Sequence, residues 1–157
     1  MLELAVANNP NFKVDQRELG KTAPTYSFDT LQALRAELGV ASTLALLIGA
    51  DQFQVFHTWH RWNDIFALAH LVVAERLGSE ASIHALLQPV AEEVKQRFCE
   101  DPRILNDAPA GRVFRYALTP LAISSSAIRT ALKSGHTPRY LLPDAVLDYI
   151  RRNKLYT

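Results

Sequence analysis

The sequence contains one cysteine, one methionine and six glycines in 157 residues. Cys99 has no second thiol in the chain, which excludes an internal disulfide framework and the small secreted folds that depend on one. The glycines form neither a G-x-G-x-x-G fingerprint nor a P-loop, and no nucleophile elbow is present. Neither sign of charge prevails. Seventeen basic residues face sixteen acidic ones, so no basic footprint for nucleic acid or an anionic membrane follows. Long apolar runs are missing too: Leu44 to Ile48 falls far short of the ~20 residues of a membrane-spanning helix. Met1-Leu-Glu-Leu-Ala-Val-Ala7 has no basic n-region and no cleavage site, so it does not read as a signal peptide. Together these absences predict a cytoplasmic protein with no nucleic-acid and no membrane partner.

What is present is ordinary globular material, 48% hydrophobic and 21% charged. The length suits one domain over residues 1–157 with a core that needs no staple. Met1 to Asn8 reads as the last turns of a helix, and Phe12 to Asp15 as a short strand. Phe28, Leu31, Leu34 and Leu38 recur at helical spacing after a cap at Thr25 or Ser27, and Gly39 supplies the stop. Thr43 to Ile48 reads as a strand buried on both faces, ended by Gly49. Two short helices between Gln52 and Ala69 break near Thr58-Trp59, and His70 to Ala74 is the next strand. Ala81 to Phe98 is an amphipathic helix with Ile83, Leu87, Val90 and Val94 on one face. Asp101 to Gly111 is a polar loop, Val113 to Leu118 a strand, and Ser124 to Ser134 a helix. A last helix starts at Pro143 and places Val146, Tyr149 and Ile150 on one face. Alternating strands and helices predict an α/β fold with a parallel sheet.

In such sheets ligands bind beyond the carboxyl ends of the strands, which points to Gly49-Ala-Asp51, Glu75-Arg76 and Pro120 to Arg129. Ile123-Ser-Ser-Ser126 opens a helix directly after a strand, where free N–H groups and the helix dipole favour a phosphate. Arg129, about one turn in, can reach the same phosphate. The plain alternative is that the serines only cap the helix and Arg129 is solvated. Asp51 can accept hydrogen bonds from ribose hydroxyls, or can serve as a helix cap. Trp59 and Trp62, in His57-Thr-Trp-His-Arg-Trp62, can stack on a planar ring or pack in the core. His57 and His60 lack the third ligand that a catalytic zinc requires, so no metal site is assigned.

Several segments, in this order and over the whole chain, resemble the bacterial nicotinate-nucleotide adenylyltransferases of the nucleotidyltransferase superfamily. They are Met1-Leu-Glu-Leu-Ala5, Pro24-Thr-Tyr-Ser-Phe-Asp-Thr-Leu31, Leu47-Ile-Gly-Ala-Asp51 with Trp59 and Trp62, and Leu71-Val-Val-Ala-Glu-Arg76. Ile123-Ser-Ser-Ser-Ala-Ile-Arg129 and Leu142-Pro-Asp-Ala-Val-Leu-Asp-Tyr-Ile150, ending in Leu155-Tyr156, complete the set. The Ile-Ser-Ser-x-x-Ile-Arg segment is shared across the superfamily. The Pro-Thr-Tyr-Ser and Ile-Gly-x-Asp…Trp pair is narrower and speaks against a pantetheine-phosphate adenylyltransferase.

The resemblance implies a Rossmann-like parallel sheet with helices on both faces. It implies adenylyl transfer from ATP to nicotinate mononucleotide in NAD biosynthesis, with Mg2+ bound with ATP and no protein ligand assigned to it. By matched position, Ser124 and Arg129 are the catalytic residues that hold the ATP phosphates, with Ile123 beside them. Gly49 and Asp51 contact the adenosine side. Tyr26 and Ser27 line the nicotinate pocket, Trp59 stacks on the pyridine ring, and Arg76 lies close to that substrate. Ser27 stands where threonine is usual, and Glu75 and Leu77 stand where Arg and Pro often flank the arginine. Family members begin with a strand and a G-[GT]-x-F-[DN]-P-x-H-x-G-H segment that has no counterpart here. The expected fold therefore lacks its first strand and helix. The chain reads as a fragment, a misplaced start or a decayed copy, inactive by itself. An inactive or truncated nucleotide-binding remnant of that family, or another nucleotidyltransferase of the superfamily, is the alternative to the enzyme.

Overall fold

The computed structural model describes residues 1–76, 90–119 and 121–156. Its four strands are β1 (Ala45–Gly49), β2 (His70–Arg76), β3 (Phe98–Cys99) and β4 (Val113–Leu118). All three strand pairs are parallel, in the order β1-β2-β4-β3. The helices between and around them are α1 (Leu2–Val6), α2 (Ser27–Leu38), α3 (Ala50–Gln54), α4 (Ile65–Leu68), α5 (Val90–Arg97), α6 (Ser125–Lys133) and α7 (Asp144–Arg152). The architecture is the expected α/β, Rossmann-like parallel sheet.

The chain divides into two compact units, Glu18–Pro120 and Met1–Arg17 with Leu121–Thr157. In Glu18–Pro120 the core joins Phe28 and Leu31 of α2, Ile48, Leu71, Val73 and Val113 of the sheet, and Val90, Ala91 and Val94 of α5. Phe53, Phe56, Ile65 and Phe66 complete it from the segment between β1 and β2. Two polar side chains tie the strand ends to their loops. Arg35 donates to the carbonyls of Leu68, Ser42 and Pro109, three separate chain segments. His70 is fully buried; its Nδ1 accepts the Arg112 N–H at 3.0 Å, and its Nε2 lies 2.8 Å from the Ala108 carbonyl. Nδ1 therefore carries no proton and Nε2–H donates, which fixes one neutral tautomer. In the other unit α1 packs against α7, which buries Val146, Leu147 and Ile150.

Besides the cap of α2, which falls on Tyr26 rather than on Thr25 or Ser27, the sequence reading needs correction at five places. Phe12 to Asp15 is not a strand: four alternating residues find no ladder, and Asp15 instead accepts the Arg17 N–H at 2.9 Å. The β1 run is buried on one face only, with Ile48 inside and Leu47 65% exposed on this edge strand. Phe98 leaves the preceding helix to pair with Val113, because Phe98–Cys99 extends the sheet. Pro102–Asp107, read as loop, is a 3-10 helix, capped by the Asp101 carboxylate on the Arg103 N–H. Tyr149 of α7 is exposed, and Leu147 takes the buried position. The expected helix from Ala81, with Ile83 and Leu87, lies outside the described residues up to position 89, as do Leu77 and Pro120.

Candidate active site

Parallel strands deliver their carboxyl ends to one edge of the sheet. In Glu18–Pro120 that edge carries Gly49 and Arg76. Gly49 pairs with Ala74 and Arg76 with Leu118, so both are the last residues of their strands. Gly49 has φ −74°, a conformation open to any residue, so backbone freedom does not call for glycine there. A Cβ there would lie 2.5 Å from Oδ1 of Asp51, a contact that a turn of that carboxylate relieves. The Asp51 carboxylate thus folds back over Gly49 from the first turn of α3, where the helix dipole favours its charge.

The segment after α3 turns twice through short 3-10 helices, Phe56–Thr58 and Trp62–Asp64. Trp59 lies between them, its ring 5.4 Å from that of Phe56, which is fully buried. Both readings of this tryptophan therefore remain compatible with the geometry: part of the ring packs on the core, and the rest is accessible. Tyr26 is the N-cap of α2 and Ser27 its first residue. Tyr26 is 42% exposed, and its ring meets that of His60 with 4.4 Å between centroids and a tilt of 33°. The structure thus brings Tyr26 and Ser27 to the turn that carries Trp59, across more than thirty residues of sequence.

His60 and Arg61 were not singled out as site residues from sequence. No local pattern marks them, because their partners, Tyr26 and Phe28, belong to another helix. The one available signal was aromatic density from His57 to Trp62. His60 spends its ring on Tyr26. Among the described residues no three His, Cys, Asp or Glu side chains gather as a metal site.

In the second unit, Ser124 is the N-cap of α6 and its Oγ accepts the Ala127 N–H at 3.1 Å. The first N–H groups of a helix have no acceptor within it. With Ala127 satisfied, those of Ser125 and Ser126 are left at the positive end of the dipole. Arg129 lies one turn further, exposed, with Nη2 3.4 Å from the Ser126 Oγ. Ile123, before the cap, is exposed as well. Capping and anion binding are thus not exclusive: one serine hydroxyl caps while neighbouring amides and a guanidinium stay available.

The cytidylyltransferase-like family matches residues 1–131. A probable nicotinate-nucleotide adenylyltransferase of Dechloromonas aromatica is 47% identical over 99% of this chain and 72% of its own length. Another, of Acidithiobacillus ferrooxidans, is 44% identical over 99% of this chain and 70% of its own. Two solved structures share the fold at 19% identity. The Plasmodium falciparum nicotinic acid mononucleotide adenylyltransferase complexed with APC matches with a TM-score of 0.54 over 96% of this chain and 70% of that one. The same enzyme complexed with NaAD matches with a TM-score of 0.53 over 86% and 58%. No helix among the described residues is long and apolar enough to cross a membrane. The chain belongs to the nicotinate-nucleotide adenylyltransferases, within the cytidylyltransferase-like family.

Proposed function

We propose that this protein transfers the adenylyl group of ATP to nicotinate mononucleotide, giving nicotinate adenine dinucleotide and pyrophosphate, in NAD biosynthesis. The observation that carries the reading is the 47% identity over nearly the whole chain with a relative of that name. A phosphate oxygen of the mononucleotide attacks the α-phosphorus of ATP. The new P–O bond forms as the bond to the bridging oxygen breaks, and pyrophosphate leaves with that electron pair. No covalent enzyme intermediate is needed, so the protein's part is alignment and neutralisation of phosphate charge.

ATP enters as its Mg2+ complex. The Ser125 and Ser126 amides, oriented by the Ser124 cap, and the planar fork of Arg129 hold phosphate oxygens. Ile123 lies beside them. Gly49 leaves room for the Asp51 carboxylate, which accepts from the ribose hydroxyls on the adenosine side. Trp59 stacks on the pyridine ring, Tyr26 and Ser27 line its pocket, and Arg76, at the end of β2, approaches the same substrate. In this reading residues 1–157 form one nucleotidyltransferase domain, and the reaction takes place in the cytoplasm.

The test incubates the purified chain with ATP, Mg2+ and nicotinate mononucleotide. Dinucleotide is followed by chromatography and pyrophosphate by a coupled assay, and each substrate is titrated separately. Dinucleotide formation would bear out the reading and set aside the expectation from sequence that the chain is inactive by itself. Binding of the mononucleotide without turnover would favour a nucleotide-binding remnant, and no binding of either substrate would overturn the reading.

A further inference from the structure

We propose that His60 and Arg61 are positioning residues that clamp the start of α2 to the Trp59 turn, so that the pocket for the pyridine ring is formed before substrate arrives. The proposal rests on the reading of Tyr26, Ser27 and Trp59 given above. The N-terminus of α2 needs an outside support, because its N-cap, Tyr26, makes no side-chain capping bond. Two ring contacts from consecutive residues supply one. The His60 ring lies tilted against that of Tyr26, and the Arg61 guanidinium lies 3.8 Å from the centre of the Phe28 ring.

The backbone between them is the second observation. The Trp62 N–H bonds to the Trp59 carbonyl at 3.2 Å, closing a turn with His60 and Arg61 at its centre. Arg61 has φ +54°, a left-handed conformation that suits glycine or asparagine. Its guanidinium is held twice, with Nε 2.6 Å from Asp64 Oδ2 and Cζ 3.8 Å from the centre of the Phe28 ring. Strained residues of this kind persist where their surroundings over-determine them, and often at ligand sites. Glycine would relax the turn and lose the clamp. Arginine keeps the strain and makes the contact.

The other face of the turn is anchored. The Trp59 N–H bonds to the Phe56 carbonyl at 3.0 Å, and its ring packs on the Phe56 ring in the core. The clamp therefore fixes Tyr26 and Ser27 against a turn that is itself fixed. Binding energy that would otherwise order the pocket stays available for the ligand.

The experiment uses the whole chain and three variants: His60→Ala, His60→Phe and Arg61→Gly. Calorimetry measures affinity for nicotinate mononucleotide and, separately, for ATP. NMR follows the Tyr26 ring resonances without ligand. We expect His60→Ala and Arg61→Gly to weaken mononucleotide binding by about two- to tenfold, the size of a lost ring contact, and to leave ATP binding unchanged. His60→Phe, which keeps a ring on Tyr26, recovers most of the loss. The free-state Tyr26 resonances move in His60→Ala and stay near their wild-type positions in His60→Phe. Unchanged mononucleotide affinity in both loss variants would overturn the clamp, as would equal losses for both substrates. A wild-type chain that does not bind the mononucleotide would overturn the pocket assignment. Tyr26 resonances insensitive to His60→Ala would overturn the clamp alone.

Discussion

Phe56, Ile65 and Val94, in Glu18–Pro120, are wholly buried, whereas α6 in the other unit, which carries Ser124 and Arg129, buries no residue at all. The residues assigned to the pyridine ring thus grow out of a packed core, and those assigned to the ATP phosphates stand on an exposed helix. A ring has to be met by a surface of fixed shape, and shape comes from packing. A phosphate is met by amides and a guanidinium, which a helix terminus supplies without burial. It follows that substitutions near Trp59 change stability and binding together, while substitutions on α6 change chemistry and leave stability alone. Three experiments probe that contrast, and a fourth tests a cap outside it.

The largest effect is expected at the root of the packed side. Phe56 touches the rings of Trp59, Trp62 and Phe66 and has no exposed surface. Phe56→Ala leaves a cavity and costs about 3–5 kcal/mol. Chemical denaturation should show the loss, with mononucleotide binding weakened before ATP binding. A midpoint equal to wild type would break the contrast at its base.

On the exposed side the expectation inverts. Arg129→Ala should lower turnover by about 10²–10³-fold, as loss of a donor to the transferring group does, while unfolding shifts by less than about 0.5 kcal/mol. Arg129→Lys, which keeps charge without the planar fork, should fall between. Wild-type turnover in the alanine variant would remove Arg129 from the phosphate site. A large loss of stability would mean that α6 is not the passive platform its exposure indicates.

Trp59→Ala falls between the two. Stacking contributes about 0.5–1.5 kcal/mol beyond area burial, so mononucleotide binding should weaken several-fold while ATP binding holds. The contact with Phe56 adds a stability loss that Arg129→Ala does not show. Equal weakening for both substrates in titration would make Trp59 a core residue only.

The same contrast explains what could be read from sequence. Val113–Leu118 matches its expected strand, and α2 ends at Gly39 with φ +87°, because periodicity and a C-terminal glycine are local signals. The Ser124 cap was equally legible. Phe98–Cys99 was not, since a two-residue strand exists only because Val113 and Phe114 are there to pair with it. Nor were the Arg35 bonds to Ser42, Leu68 and Pro109, or the His60–Tyr26 ring contact, which join segments far apart in the chain. Leu47 misled for a related reason. An apolar run states that a strand forms, but not how many of its faces are covered.

The smallest effect concerns a cap that is not among the assigned residues. Asp101 closes the 3-10 turn Pro102–Asp107: it accepts the Arg103 N–H at 2.9 Å and the Arg103 guanidinium at 2.6 Å. The side-chain bond from Arg103, followed by the backbone bond, holds the Asp101 carboxyl below its ordinary value. A carboxyl lowered in the folded state binds fewer protons there than in the unfolded chain. Its contribution is therefore present above the ordinary aspartate value and is lost as pH falls through the lowered one. Because Arg103 is exposed and Asp101 partly so, salt screens the pair and the global stability hardly moves. The readout is local: an NMR titration of the Asp101 carboxyl should give a midpoint below that of an unstructured aspartate. In Arg103→Ala the midpoint should rise, but not fully, because the backbone amide at residue 103 still donates. A midpoint unaffected by Arg103→Ala would show that the guanidinium plays no part. A complete return to the ordinary value would show that the cap forms only through the ion pair.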